Sequence, residues 1–341
     1  MIEMNPLKVA NWDALVLAHP QHSIFHSTSW ARVLVEAFGF APRYLVEHNG
    51  SKMRTLVSMM EVRDLWRGGR GVGLPFTDEC APLLGGGRRE TVLAEMIREG
   101  RNRGWRELEW RGGESLATAS RPSVSFYSHR LNLTEPEEKL LAGLDGAVRR
   151  AVRKSVRAGV TVQVGTEGGG TERFYSLYCL TRRRHGLPPQ PQSFFRSIQR
   201  HLLACGRGFI AEAVHQGKTV AAAVFFMFGR RAVFKYGASD LAWQHLRGND
   251  AVMWEAIRWL RRHGFEQLHL GRTSLDNAGL RRFKLGWGCE EGLTHYYRYD
   301  LRQERFLVDK DPVYGWYNSI FRLLPIWLAR LVGRMAYRYA A

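Results

Sequence analysis

Cysteine is scarce: Cys80, Cys179, Cys205 and Cys289 are the only four in 341 residues. None belongs to a C-x-x-C pair or a Cys/His cluster, so no metal site is expected. Nor do they suggest a disulfide framework in a chain this long, which fits a reducing compartment. Long apolar runs are missing too. No stretch of about 18 uncharged apolar residues occurs, so no spanning helix is expected. The opening MIEMNPLKVANWDALVLAHP has no basic region leading a long apolar run, and a secretory signal is not expected. The glycine run Gly85-Gly86-Gly87 lacks the Lys-Ser/Thr ending of a P-loop. Acids are in short supply: 32 Asp plus Glu face 50 Lys plus Arg, a formal charge of +18. Such a balance speaks of partners, not fold, and admits nucleic acid, an anionic membrane face or a phosphate-bearing substrate. Arginine suits phosphate through bidentate pairing. A GC-rich genome would raise arginine as well, and both readings stand.

What is present supports packed cores. Hydrophobic residues make up 45% of the chain, with 17 Phe and 11 Trp, and the length suits two domains. Asn11–Ala18 and Trp30–Phe38 read as helices, the second capped by Ser27 or Thr28. Tyr44–Glu47 and Met53–Met60 flank Asn49-Gly50, a hairpin turn. Glu90–Arg103 then reads as a helix and Trp105–Trp110 as a strand. The same order recurs later. At a constant offset of 160, Val92, Glu95, Ile97, Arg98, Gly104 and Leu108 meet Val252, Glu255, Ile257, Arg258, Gly264 and Leu268. A hairpin precedes each copy, with turns at Asn49–Lys52 and Gln216–Lys218. One strand–strand–helix–strand unit therefore appears twice. Glu255, matched by Glu95, reads as structural.

Between the copies lies a basic helix. Thr134-x-x-Glu137 has the form of a capping box. Residues 147–158, AVRRAVRKSVRA, place Val148, Val152 and Val156 on the expected buried side. Arg149, Arg150, Arg153, Lys154 and Arg157 take the rest. Like charges so spaced repel, which suits either a phosphate-facing surface or a solvated face. Thr171 is expected to cap a helix running to about Arg184. His185, before Gly186, reads as a helix cap or as a base. Ala221-Ala222-Ala223 leaves room for close approach by a ligand or strand. The C-terminal stretch 325–341 carries Arg330, Arg334 and Arg338 at spacing four, with Trp327 or Leu328, Leu331 and Met335 across from them. It suits an anionic interface or packing on the first domain.

The stretch Gly264–Gly288 ends a helix, forms a short strand (Phe265–Leu270) and opens into a polar loop (Thr273–Gly279). Leu280-Arg281-Arg282-Phe283-Lys284 and Gly286-Trp287-Gly288 follow. Such a stretch can wall an anion-binding cleft or be a basic surface loop. Gly271-Arg272-Thr273, Phe283-Lys284 and Trp287-Gly288 resemble the G-R-S…F-K-x-x-W-G pattern of FemAB-like proteins, with Thr273 in place of the usual serine. These are tandem GNAT acyltransferases, here most similar to those found beside exopolysaccharide and exosortase systems. The resemblance covers roughly residues 5–300. It implies an α/β (α+β type) fold with tandem GNAT-like domains, each a mixed, mostly antiparallel sheet flanked by helices. The first domain would span 1–135. The second would span 136–300, with its basic helix at 147–158, and a tail with a basic amphipathic helix would span 301–341.

The activity implied is acyl or aminoacyl transfer to an amine on a cell-envelope, peptidoglycan- or exopolysaccharide-related acceptor bearing a phosphate or glycan. No tightly bound cofactor is implied; the donor is either aminoacyl-tRNA or acyl-CoA. By resemblance, Lys284 stabilises the developing oxyanion, Phe283 packs behind it, and Tyr236 lies where two strands splay around the donor. Arg272 would clamp a phosphate or carboxylate, and Arg149 and Arg153 would hold a phosphate of donor, tRNA or acceptor. Gln244-His245-Leu246-Arg247-Gly248 is an incomplete form of the GNAT pyrophosphate loop, making Arg247 and Gly248 phosphate-binding candidates. No general base is evident; His269, Asp276 and Tyr236 are the candidates. Lys284→Ala is expected to abolish transfer and leave the fold intact. The location expected is cytoplasmic, peripheral at the inner membrane face through 325–341. The alternatives are acyl-CoA-dependent acetylation of a small amine, and a non-catalytic basic module for RNA or membrane surfaces.

Overall fold

The structure, a computed structural model, describes all residues except 50–51, 65–67, 86–88, 113–115, 117–119, 167, 309–316 and 340–341. Gly50 of the expected hairpin turn and Gly86-Gly87 of the glycine run therefore lie outside the described residues. The chain forms two compact units. One comprises Met1–Phe126, Leu293–Pro312 and Tyr337–Ala341; the other comprises Tyr127–Gly292 and Val313–Ala336. The boundaries read from sequence were contiguous. The chain instead returns to the first unit at Leu293, because Tyr296–Asp300 pair antiparallel with Glu107–Arg111.

The first unit begins with β1 (Ile2–Met4), α1 (Trp12–Leu17), α2 (Thr28–Phe38), β2 (Ala41–Pro42) and β3 (Tyr44–Asn49). It continues through β4 (Lys52–Val57), β5 (Met60–Asp64), β6 (Gly68–Val72), β7 (Leu83–Leu84), α3 (Arg89–Asn102) and β8 (Glu107–Arg111). Ser27 caps α2, its side chain accepting from the Trp30 N–H. The single strand expected over Met53–Met60 is two. β4 pairs with β3, while β5 pairs with β2 and β6. The chain then runs through β9 (Val124–Asn132) into the second unit.

The second unit contains α4 (Glu137–Gly143), α5 (Gly146–Arg157), β10 (Thr161–Gly165), α6 (Gly168–Arg184), α7 (Gln192–Ile198) and β11 (Gly208–His215). β12 (Lys218–Phe228), β13 (Arg231–Ser239), α8 (Gly248–Arg262), β14 (Gln267–Ser274) and α9 (Ala278–Leu285) follow. β15 (Glu290–Asp300) and β16 (Arg305–Leu307) lead back to the first unit, and α10 (Tyr317–Leu323) and α11 (Ile326–Ala336) belong to the second. Strands β10 to β13 are antiparallel in sequence order, and β14 joins β13 in parallel. The sheet's apolar residues meet Val252, Ile257 and Leu260 of α8 and the buried Trp287 in one core.

The repeat is realised in both units. β6 and β8 pair in parallel at Arg70–Val72 and Glu107–Glu109; β13 and β14 do so at Arg231–Val233 and Gln267–His269. The helix before the last strand ends in each at a glycine with left-handed backbone, Gly104 and Gly264. Leu108 and Leu268 are both fully buried. Even the ion pairs match: Glu95 takes Arg98 at 2.5 Å and Glu255 takes Arg258 at 2.8 Å. The fold class is the mixed, mostly antiparallel sheet with flanking helices expected from the sequence.

Four local readings are corrected. Thr134 does not cap α4; its N–H and hydroxyl donate to Asn132 Oδ1 at 2.9 and 2.8 Å, and Glu137 instead accepts from Arg258. Thr171 lies inside α6, its hydroxyl donating to Gln199 Oε1 at 2.6 Å. On α5 the buried residues are Val152 and Ser155, while Val156 is 69% exposed. A spacing of four repeated twice drifts off the face, which steps of four then three follow. Finally, β14 runs on to Ser274 because Gly271, at φ +71°, bends the strand without ending it. Arg272 and Thr273 are therefore strand residues, not the start of a loop.

Candidate active site

β13 and β14 stay paired only as far as Val233 and His269. Beyond that point β13 continues to Ser239 and β14 to Ser274 without mutual pairing in the register. Two cavities lie in this region of the second unit. One of about 330 Å³ is lined by residues including Thr181, His185, Ala222, Ala223, Gly237 and Phe283. The other, of about 150 Å³, is lined by Ala221, Trp243, Arg247, Gly248, Asp250 and Phe283 among others. Ser239, Asn249 and Phe283 line both, so the two adjoin.

Small residues make this space. A Cβ added to Gly248 would stand 3.1 Å from the Cβ of Ala221, so both positions must be small for α8 to begin so close to β12. Ala222 and Ala223 leave the larger cavity open. Arg247 carries the turn into α8 in left-handed backbone, φ +61°, an unfavourable conformation for a side chain of this size. Asn249 Nδ2 donates to Ser239 Oγ at 3.2 Å across the junction. The positive end of a fifteen-residue helix thus faces the smaller cavity.

The F-K-x-x-W-G stretch has a separable role at each residue. Asn277 caps α9, accepting from the Leu280 N–H at 3.0 Å. Phe283 faces the cleft. Lys284 is 2% exposed, and its ammonium donates to the carbonyls of Gly271 and Arg272 at 2.8 and 2.9 Å. It therefore locks α9 onto the far end of β14. Trp287 is core. Gly286 accepts from the Asp145 N–H at 2.9 Å, and a Cβ there would lie 2.8 Å from Val148. This turn thus seats the start of the basic helix.

Of the residues singled out by sequence, the fold brings Phe283, Arg247 and Gly248 to the cleft, with Lys284 buried next to Phe283. His185, Gln244 and Ala221–Ala223 also line the cavities, whereas Arg272, Arg149, Arg153, Tyr236, His269 and Asp276 line neither. Arg272 is half-buried on β14; Arg149 reaches the Ala142 carbonyl at 3.5 Å, and Arg153 is exposed on α5. Tyr236, expected beside the donor, packs with Tyr178 and Phe195 at ring distances of 5.8 and 5.4 Å. The cause is a register shift in β12–β13 that leaves Lys235 unmatched and turns Tyr236 to another side than plain alternation gives. His269 joins Ser128 at 2.9 Å. Sequence reading gave no role to Ser239 at the end of β13, nor to Asn249 and Asp250; the last two were signalled only by their place in the first turn of α8.

Burial shapes the charges here. It raises the Asp250 carboxyl against the opposing pull of Arg247. Burial and then the charges of Arg184, Arg182 and Arg322 hold the His185 imidazole below its ordinary value. His129, bonded to Glu291 at 3.0 Å, is lowered by burial and by Lys284. Burial pushes the Cys289 thiol up to about 12. In the first unit a larger hollow of about 530 Å³ contains Glu61, Arg63, Arg103 and Arg338. Its buried carboxylate is already taken by Arg43 at 3.0 Å and Arg63 at 2.7 Å, so the second unit's cleft is the candidate.

The family model described as acetyltransferase (GNAT) domain matches residues 145–291, which include both cavities' β and α8 walls. No curated protein matches the sequence. Among solved structures, FemX is similar at TM-score 0.71 and 14% identity, over 89% of this chain and 98% of that one. A tandem GNAT protein from the clavulanic acid biosynthesis pathway, solved without AcCoA, is similar at 0.56 and 14%, over 88% and 98%. L-PGS from Bacillus licheniformis follows at 0.53 and 13%, over 98% and 99%. The chain thus has the fold of tandem GNAT proteins such as FemX, and residues 145–291 match the acetyltransferase (GNAT) domain model.

Proposed function

We propose that this acyltransferase moves an acyl or aminoacyl group from a thioester or ester donor to an amine on a cell-envelope or exopolysaccharide-related acceptor. The observation that carries the reading is the cleft where β13 and β14 part, closed by Phe283 and headed by the α8 N-terminus. The donor's acyl end enters the larger cavity beside Ala222, Ala223 and Phe283. Its phosphate meets Arg247 and the first turn of α8. As acyl carbon goes tetrahedral, charge grows on its oxygen, and the buried Lys284 ammonium next to Phe283 favours that charge. Arg149 and Arg153, with the rest of the exposed α5 face, suit the phosphates of a tRNA donor, whereas acyl-CoA needs only the α8 end.

The tail suits a peripheral site on an anionic membrane. Ala329 and Gly333 are its buried residues, and a Cβ on Gly333 would lie 2.0 Å from the Pro189 carbonyl oxygen. Ile320, Leu323, Trp327, Leu331 and Met335 are left exposed, with Arg322, Arg334 and Arg338 nearby in sequence. No helix of the described residues is long and apolar enough to cross a membrane.

The test is transfer followed by mass spectrometry, using acetyl-coenzyme A or alanyl-tRNA as donor and glucosamine or Nα-acetyl-lysine as acceptor. A mass gain of one acyl or alanyl group supports the reading and names the donor class. Stable intact donors with every acceptor would contradict it.

A further inference from the structure

We propose that His185 is the general base of this transfer, an assignment that rests on the cleft being the acyl-donor site. His185 lines the larger cavity together with Ala222, Ala223 and Phe283. It is exposed, so an acceptor amine can reach it from solvent. Among the described residues no other histidine lines either cavity. His269 is bonded to Ser128 and Tyr236 lies in an aromatic cluster. Asp240 spends its carboxylate on the Ala242 N–H at 3.0 Å. Asp250 lines only the smaller cavity, where the donor's phosphate would lie.

The backbone around His185 is fixed from both sides. α6 ends with Gly186 in left-handed backbone, φ +69°, closed by Gly186 N–H to Arg183 O at 2.9 Å and Leu187 N–H to Arg182 O at 3.0 Å. Asn318 of α10 donates to Gly186 O at 3.0 Å, and a Cβ on Gly186 would fall 2.1 Å from the Asn318 carbonyl oxygen. Backbone held this way keeps the root of the His185 side chain at a constant position relative to the cavity. Among the described residues the charges that bear on it are Arg184 and Arg182 from α6 and Arg322 from α10. Partial desolvation of the ring, and then these charges, lower its proton affinity and so favour the neutral form, which accepts a proton.

The step balances without a further reactant. The acceptor nitrogen's lone pair attacks the acyl carbonyl carbon and forms the C–N bond. One N–H proton passes to the His185 imidazole. The donor's C–S or C–O bond breaks, and its electron pair leaves on sulfur or oxygen, which takes the proton back as a thiol or hydroxyl.

The experiment compares wild type with His185→Gln, His185→Ala and Asp250→Asn, using the donors and acceptors named above. Donor affinity is read by calorimetry and kcat across pH 5 to 9. His185→Gln should keep donor affinity within about twofold, lose kcat by roughly 100-fold, and lose the acid limb of the pH profile. Added imidazole should restore part of the activity of His185→Ala. A His185→Gln enzyme that keeps wild-type kcat and its acid limb would overturn the assignment, as would an acid limb lost only in Asp250→Asn. Loss of donor affinity in place of kcat would make His185 a donor-binding residue and overturn it too. A wild type that uses neither donor would instead overturn the function on which the assignment rests.

Discussion

The Lys284 ammonium donates to the backbone carbonyl of Arg272 at 2.9 Å. Sequence reading gave these two cations separate tasks at the ligand. The Lys284 side chain and the Arg272 backbone also belong to one lock, with the Gly271 carbonyl as its third member. Lys284→Ala would leave two carbonyls without their donor in a site that is 2% exposed. We expect a loss of roughly 2–5 kcal/mol in stability alongside lost transfer. Urea unfolding would measure it. Unchanged stability would mean that the ammonium's value lies in chemistry alone, as the sequence reading expected.

Gly186→Ala should also destabilise. The substitution meets both the left-handed backbone and the Asn318 carbonyl oxygen 2.1 Å away. A melting temperature lowered by several degrees, with transfer falling more than stability requires, is the expected result. Gly143→Ala, open on all sides within 4 Å, is the control and should not lower it.

Trp327→Ser with Leu331→Ser removes two of the exposed apolar residues of α11. Each is worth about 1.5–3 kcal/mol when fully buried. Sedimentation with phosphatidylglycerol vesicles should show at least a tenfold weaker association for the double variant. Equal sedimentation of both proteins would rule out the ridge as the contact.

Acid should weaken the first unit through His26. The ring is 2% exposed, engages the Ala81 carbonyl oxygen at 3.0 Å, and is lowered from 6.5 to about 4, first of all by burial. The unfolded chain therefore binds the proton more readily. The contribution is full above pH 6.5 and falls away as pH drops through 4, by roughly 3 kcal/mol. Stability measured by denaturant at pH 7, 6, 5 and 4 should show this slope, and His26→Gln should flatten it.

Much of this was legible in the sequence because it rests on local chemistry. The offset of 160 survived in the helix, the left-handed glycine, the strand and the Glu–Arg ion pair of both units. Ala221–Ala223 and Arg247-Gly248 announced close approach, which Gly248 against Ala221 realises. What stayed hidden depends on register and tertiary partners. A single unmatched residue in β13 sets which side Tyr236 faces, although it lies beyond the last β13–β14 pair as expected. The commitment of Lys284 to two carbonyls is not written in its neighbours, and the return of Leu293–Pro312 to the first unit needed a pairing across nearly 190 residues.

Donor binding to the cleft is the measurement to make first. Acetyl-coenzyme A and alanyl-tRNA would be titrated calorimetrically into wild type and into Ala222→Leu, which fills the larger cavity, with circular dichroism to verify folding. Saturable binding of one donor to wild type, weakened at least tenfold in the folded variant, is expected if the acyl group lies beside Ala222. Equal affinity in both proteins, or none for either donor in wild type, would contradict a donor site between β13, β14 and α8.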